Sequence, residues 1–146
     1  MERYFRLDEA EALLETVRGK VEQVVHLNAE LSKTTAELKA LVRHVADSGG
    51  VLLDRKRLVG LRSRHDALAQ RLRELVEEIN GYGCQMKDLD KGLIDFPTRY
   101  RGREALLCWR LGEPRIAYWH GPDEGFAGRK AIDDDFLANH EGDRPV

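Results

Sequence analysis

Five side chains in the C-terminal half have types that could do chemistry together: Asp88, Asp95, His120, Glu124 and Arg129. Carboxylates beside an imidazole share protons or hold a divalent cation, and a guanidinium anchors an anion. His120 leads the set because it closes an apolar run just before Gly121 and Pro122 redirect the chain, with Glu124 close behind. The spacing nominates His120, Asp95 and Glu124 as catalytic candidates. Asp88, Arg129 and Trp109 are the ligand-binding candidates, and His120 with Glu124 the metal candidates. A plainer reading stands beside each. Acidic residues next to glycine are ordinary turn chemistry, Arg129 can pair with Asp95 or Glu124, and Trp109 with Trp119 reads as core. Cys108, between Leu107 and Trp109, reads as a small buried hydrophobe, since a reactive thiol needs exposure and a positive neighbour.

No motif of known mechanics accompanies these residues. There is no Gly-x-Ser-x-Gly, no phosphate-cradling glycine loop before a helix, no His-Glu-x-x-His and no Cys-x-x-Cys. The common hydrolase, nucleotide and zinc-protease readings therefore fall away, and no cofactor is evident.

The elements that must position the candidates are β-rich. Residues 84–89 and 93–96 predict two strands around the turn Asp90-Lys91-Gly92, with Pro97 stopping the second. Residues 104–111 and 116–120 predict a hairpin around Gly112-Glu113-Pro114-Arg115. With that loop Leu111 pairs Ile116, Trp109 pairs Tyr118 and Leu107 pairs His120, while Cys108 and Trp119 share the opposite face. The last segment, 133–146, carries Asp133, Asp134 and Asp135, has little to bury, and is expected to be a flexible acidic tail.

Ahead of this module the hydrophobic period is seven. Leu7, Ala10, Leu14, Val17, Val21, Val24, Asn28, Leu31, Thr35, Leu38, Val42 and Val45 step by alternating threes and fours. Asp8, with Glu11 three residues on, is the expected helix start, and Asp47-Ser48-Gly49-Gly50 the stop. From Asp54 the rhythm resumes through Leu58, Leu61, His65, Leu68, Leu72, Leu75 and Ile79 until Asn80-Gly81-Tyr82-Gly83. Two such seams joined by a glycine turn bury one another by folding back. The expectation is an α+β chain: a long antiparallel, coiled-coil-like hairpin over 1–83, with helices at about 8–46 and 54–80, then a small antiparallel β meander over 84–132 packed on it. A turn centred near residue 50 sets Thr35 opposite His65 and Asn28 against the Leu72 layer. These polar positions read as register markers.

Composition bounds the partners. Twenty-four basic and 26 acidic residues leave a net charge of −2, which argues against a nucleic-acid binder. No stretch approaches the length of a membrane span, and Met1 to Phe5 carry no secretory apolar region, so a cytoplasmic location away from membranes is expected. Cys84 and Cys108 are too few for a disulfide framework.

The ordered strings Lys87-Asp88-Leu89, Gly92-Leu93-Ile94-Asp95-Phe96-Pro97, Leu107-Cys108-Trp109, Gly112-Glu113, Tyr118-Trp119-His120 and Glu124-Gly125-Phe126-Ala127-Gly128-Arg129 resemble the prokaryotic domain-of-unknown-function family 2203. Tyr4-Phe5, Leu7 and Asp8-Glu9-Ala10 are similar to its opening. The resemblance implies a small prokaryotic cytosolic protein and carries no activity. Two functional readings follow from the residues. The first is an interaction or scaffold protein whose hairpin self-associates as a homo-oligomer or docks a partner. The alternative is a small-molecule or metal-binding protein, or an enzyme, with a pocket around Asp88, Asp95, His120, Glu124 and Arg129.

Overall fold

The computed structural model describes residues 3–49 and 51–143; the turn position expected at Gly50 lies outside them. Two long helices, α1 (Leu7–Ser48) and α2 (Leu52–Gly81), lie antiparallel. Lys20 meets Glu78 at 2.8 Å, Glu30 meets Arg64 at 3.2 Å and His44 meets Asp54 at 3.3 Å, which fixes their register. Gly49, at φ +75°, ends α1 in the left-handed region that glycine enters without strain.

The caps differ from those expected. Glu9, not Glu11, closes the start of α1, its carboxylate accepting the Arg6 N–H at 3.0 Å, and Asp8 lies inside the first turn. His140, far along the chain, adds a second cap by accepting the Leu7 N–H at 3.0 Å. Val51 precedes α2, and Asp54 is used across the hairpin by His44 instead of capping.

The heptad seam is buried unevenly. Ala10, Leu14, Val17, Val21 and Val24 of α1 and Leu72, Leu75 and Ile79 of α2 form one core with the sheet, whereas Val42 is 40% exposed towards the tip. Asn28 leaves the seam altogether and donates to Asp90 at 2.6 Å, tying α1 to the β module. The buried threonine is Thr34, whose hydroxyl donates to the Glu30 carbonyl; Thr35 is half-buried beside it.

The sheet comprises β1 (Gln85–Asp88), β2 (Leu93–Tyr100), β3 (Arg103–Arg110), β4 (Tyr118–His120), β5 (Lys130–Ala131) and β6 (His140–Glu141). The first five are neighbours in chain order, and β6 adds to the free part of β2. Pro97 does not end β2. Its carbonyl accepts the Phe5 N–H at 2.7 Å on the edge away from β3, so the missing proline donor also points there and removes no bond from the β2–β3 ladder. Arg101 at φ +52° and Gly102 at φ +77° then make the two-residue turn that suits right-twisted strands.

Side chains alternate across this sheet. Ile94, Phe96, Ala105, Leu107 and Trp109 face the helices and belong to the common core. The residues between them face the other way, where Asp95, Leu106 and Cys108 border the same space as Pro122, Glu124, Gly125 and Phe126.

Residues 133–143 are folded, contrary to the tail expected over 133–146, whose last three residues lie outside the described ones. Asp133 caps a short helix, α3 (Asp134–Asn139), and Phe136 is fully buried against Tyr100, Trp119 and His140. Phe136 anchors this stretch, β6 adds backbone bonds, and Tyr100 and Arg101 pair with Asp135.

Candidate functional site

The site is assembled by strand register. Asp95 on β2 lies directly opposite Cys108 on β3, and Leu106 on β3 lies opposite His120 on β4. Positions of equal parity share a face, so Asp95, Cys108 and His120 all point away from the helices. Each is under 5% exposed. The pairing of β3 with β4 is one residue away from that expected: Cys108, not Trp109, pairs with Tyr118. The cause lies in the connecting loop, where Glu113 accepts the Arg110 N–H at 2.7 Å through its carboxylate and Trp109 Nε1 through its carbonyl. A one-residue slip exchanges faces, which is why the expected register separated Cys108 from His120 and the true one joins them.

His120 is held at both ring nitrogens. Nδ1 lies 2.8 Å from the Gly121 carbonyl, which only an N–H can satisfy. Nε2 lies 3.1 Å from both carboxylate oxygens of Asp95. A single proton must sit between Nε2 and that carboxylate, because two bare lone pairs at this separation repel. One carboxylate oxygen, the Cys108 Sγ and a ring nitrogen all lie within 4.8 Å of one another. Burial first, then the Asp95 charge, with Arg129 opposing them, push the Cys108 thiol up to about 11. The thiol is therefore protonated near neutrality. His120 already uses both nitrogens on oxygen atoms, so it is not placed to activate Cys108 as a nucleophile.

The three residues line a pocket of about 300 Å³, which Lys87, Asp88 and Glu124 also border. Four of the residues nominated from sequence, Asp88, Asp95, His120 and Glu124, thus converge on one space. Asp88 also accepts the Asp90 and Lys91 backbone N–H groups, shaping the turn after β1. Glu124 accepts from Lys130 Nζ at 2.6 Å and from the Gly121 N–H, and these bonds, the lysine's first, hold its carboxyl below the ordinary range.

Two nominated residues are placed elsewhere. Arg129 makes a two-pronged pair with Glu113, at 2.8 and 2.9 Å, and lies over the rings of Tyr118 and Phe126, so it is not free to anchor an anion. It reaches the site only through Cys108 Sγ, at 4.0 Å. Trp109 is fully buried on the helix-facing side of the sheet. Cys108 is the residue that sequence reasoning missed as part of the site. The only signal for it was its parity with Asp95 and His120, readable once the register was known.

Larger hollows of about 730 Å³ run along the open part of the hairpin, but no convergent set of buried donors lines them. No helix of the described residues is long and apolar enough to cross a membrane. No curated protein and no solved structure matches the chain. A family model does match, over residues 3–132, which take in the helical hairpin and β1 to β5: the chain belongs to the family described as Uncharacterized conserved protein (DUF2203).

Proposed function

We propose that this protein binds a small polar ligand in the pocket on the outer face of the sheet, with His120 as its proton-carrying group. The observation that carries this reading is the convergence of Asp88, Asp95, His120 and Glu124 on one pocket reachable from solvent. Stability alone gives little reason for the buried pair of Asp95 and His120, because an apolar pair of equal volume is commonly as stable or more so. At the mouth, Glu124 presents an ionised carboxylate and Asp88 a second acceptor. Such a lining suits a ligand offering hydrogen-bond donors, such as an amine or a polyol.

The test is a chemical-shift titration of the labelled protein with amine, polyol and carboxylate probes. Shifts centred on residues 87–95 and 120–126, reduced in Glu124→Gln, support the reading. No response from any probe, or responses confined to the helices, counts against it.

A second reading is favoured by a different observation. Val51, Leu52, Leu53 and Val59 are each more than 60% exposed near the hairpin tip, and such a patch fits coiled-coil-like self-association of the helices or docking of a protein partner. Light scattering tests it: a strict monomer at all concentrations removes the homo-oligomer. For location we extend the same proposal to the cytoplasm of a prokaryote, supported by two unpaired, buried cysteines and by the family resemblance.

A further inference from the structure

We infer that Asp95, Cys108 and His120 together bind a divalent metal ion of the zinc class at the floor of this pocket. The inference deepens the pocket reading and rests on it for access to the site, but it makes a separate claim about what occupies the floor.

The donor set is the first argument. One thiol, one imidazole and one carboxylate lie within 4.8 Å of one another, the one such group among the described residues. Mixed sulfur, nitrogen and oxygen donors suit a borderline cation such as Zn²⁺ and suit Mg²⁺ or Ca²⁺ poorly.

The orientation of His120 is the second. Its Nδ1–H is committed to the Gly121 carbonyl at 2.8 Å, which directs Nε2 at Asp95, within the same cluster as Cys108. A backbone carbonyl on the far nitrogen is the usual outer partner of a metal-bound imidazole, since it fixes both the tautomer and the ring plane. The Nε2 to carboxylate separation of 3.1 Å is close to that between two donors sharing one cation with bonds of about 2 Å.

Charge balance is the third. Without metal the site is neutral, as a protonated thiol beside a carboxylate and imidazole sharing one proton. On binding, the thiol releases its proton and so does the Nε2–carboxylate pair. A thiolate, a carboxylate and a neutral imidazole then balance a dication, so the site is neutral again with two protons released to solvent. A buried site can hold either state without a net charge, and Arg129, 4.0 Å from Sγ and itself neutralised by Glu113, favours the thiolate. Three protein donors leave a fourth position facing the pocket, the arrangement of zinc sites that keep a place for water or a ligand.

The experiment uses the full chain, freed of metal with a chelator and titrated with Co²⁺, then with Zn²⁺ in competition. The expected result is one Co²⁺ per chain, with a thiolate-to-cobalt charge-transfer band and the intense visible bands of a low-coordinate site, both lost when Zn²⁺ is added. Cys108→Ala, which keeps a small apolar group, should lose the charge-transfer band. Asp95→Asn and His120→Gln should lose tight binding, and His26→Gln, on the exposed side of α1, should leave the titration unchanged. Circular dichroism identifies any variant that fails to fold; in that case the sulfur-to-cobalt band of the wild-type chain, retained in Cys84→Ala, gives the same answer, because the Cys84 thiol donates to the Ile79 carbonyl away from the site. Absence of Co²⁺ binding, binding without the sulfur band, or full binding by Cys108→Ala overturns the metal site. The pocket reading is scored separately, because the probe titration uses metal-free protein.

Discussion

Asp95 and Cys108 stand directly opposite each other on β2 and β3, and Asp95 reaches on to His120 at 3.1 Å, so one carboxylate links all three central strands. Asp95→Asn or Asp95→Ala leaves the imidazole without its charged partner in a closed setting. The expected loss is about 3–5 kcal/mol, read by urea denaturation. Asp95→Leu combined with His120→Leu should recover most of it. A double variant as unstable as the sum of the singles would show that the pair is not coupled.

The C-terminal segment is expected to hold α1 in place. His140 Nε2 accepts the Leu7 N–H at 3.0 Å, and the Asp143 N–H donates to the Tyr4 carbonyl at 3.0 Å. His140→Ala should lower stability by about 1 kcal/mol through loss of the cap, and melting temperature should fall by about 4 °C. Gly142→Ala should be worse, because its Cβ would lie 2.7 Å from the Arg6 backbone nitrogen. An unchanged melting curve for both would mean that this segment contributes nothing to the fold.

Thiol chemistry should be silent in the native protein. Burial is the main cause that raises both Cys84 and Cys108 to about 11, so at neutral pH neither presents a thiolate. Ellman's reagent should find two thiols after denaturation and almost none before. The sign for stability follows: unfolded thiols ionise from about pH 9, folded ones only near 11, so stability falls as pH climbs through that window. Fast native labelling near pH 7 would contradict this.

Acid should release a contact at the other end of the sheet. Asp135 is held below its ordinary value, chiefly by the Tyr100 hydroxyl that donates to it and then by Arg101. A depressed carboxylate stabilises the fold above its unfolded value, and that contribution is lost as pH falls through the folded one. Because Tyr100 stacks on Trp119 at 5.1 Å, tryptophan fluorescence should change in this acid range and Asp135→Asn should remove the change. A transition that persists unaltered in Asp135→Asn would assign it elsewhere.

The hairpin and the strand positions were legible because burial imposes a period. A helix that hides one stripe must repeat it every three to four residues, as Ala10, Leu14, Val17, Val21 and Val24 do, and a glycine turn between two such stripes leaves folding back as the way to cover both. Pro97 shows where local rules stop. Proline removes a ladder bond only if its nitrogen faces the neighbouring strand, and the side it faces is set by pairing. Phe136 shows the same for the last segment, since one aromatic residue in an acidic stretch says nothing of whether a slot awaits it.

Chain order alone determined that two seven-residue seams would pair, that strands would follow, and that Asp88, Asp95, His120 and Glu124 were the polar groups to watch. Tertiary structure decided which of them meet, and that Cys108 joins them while Arg129 and Trp109 do not. The reason is physical: hydrophobic period is a property of each element by itself, whereas strand register depends on a loop closed by Glu113, and a slip of one residue moves every side chain to the opposite face.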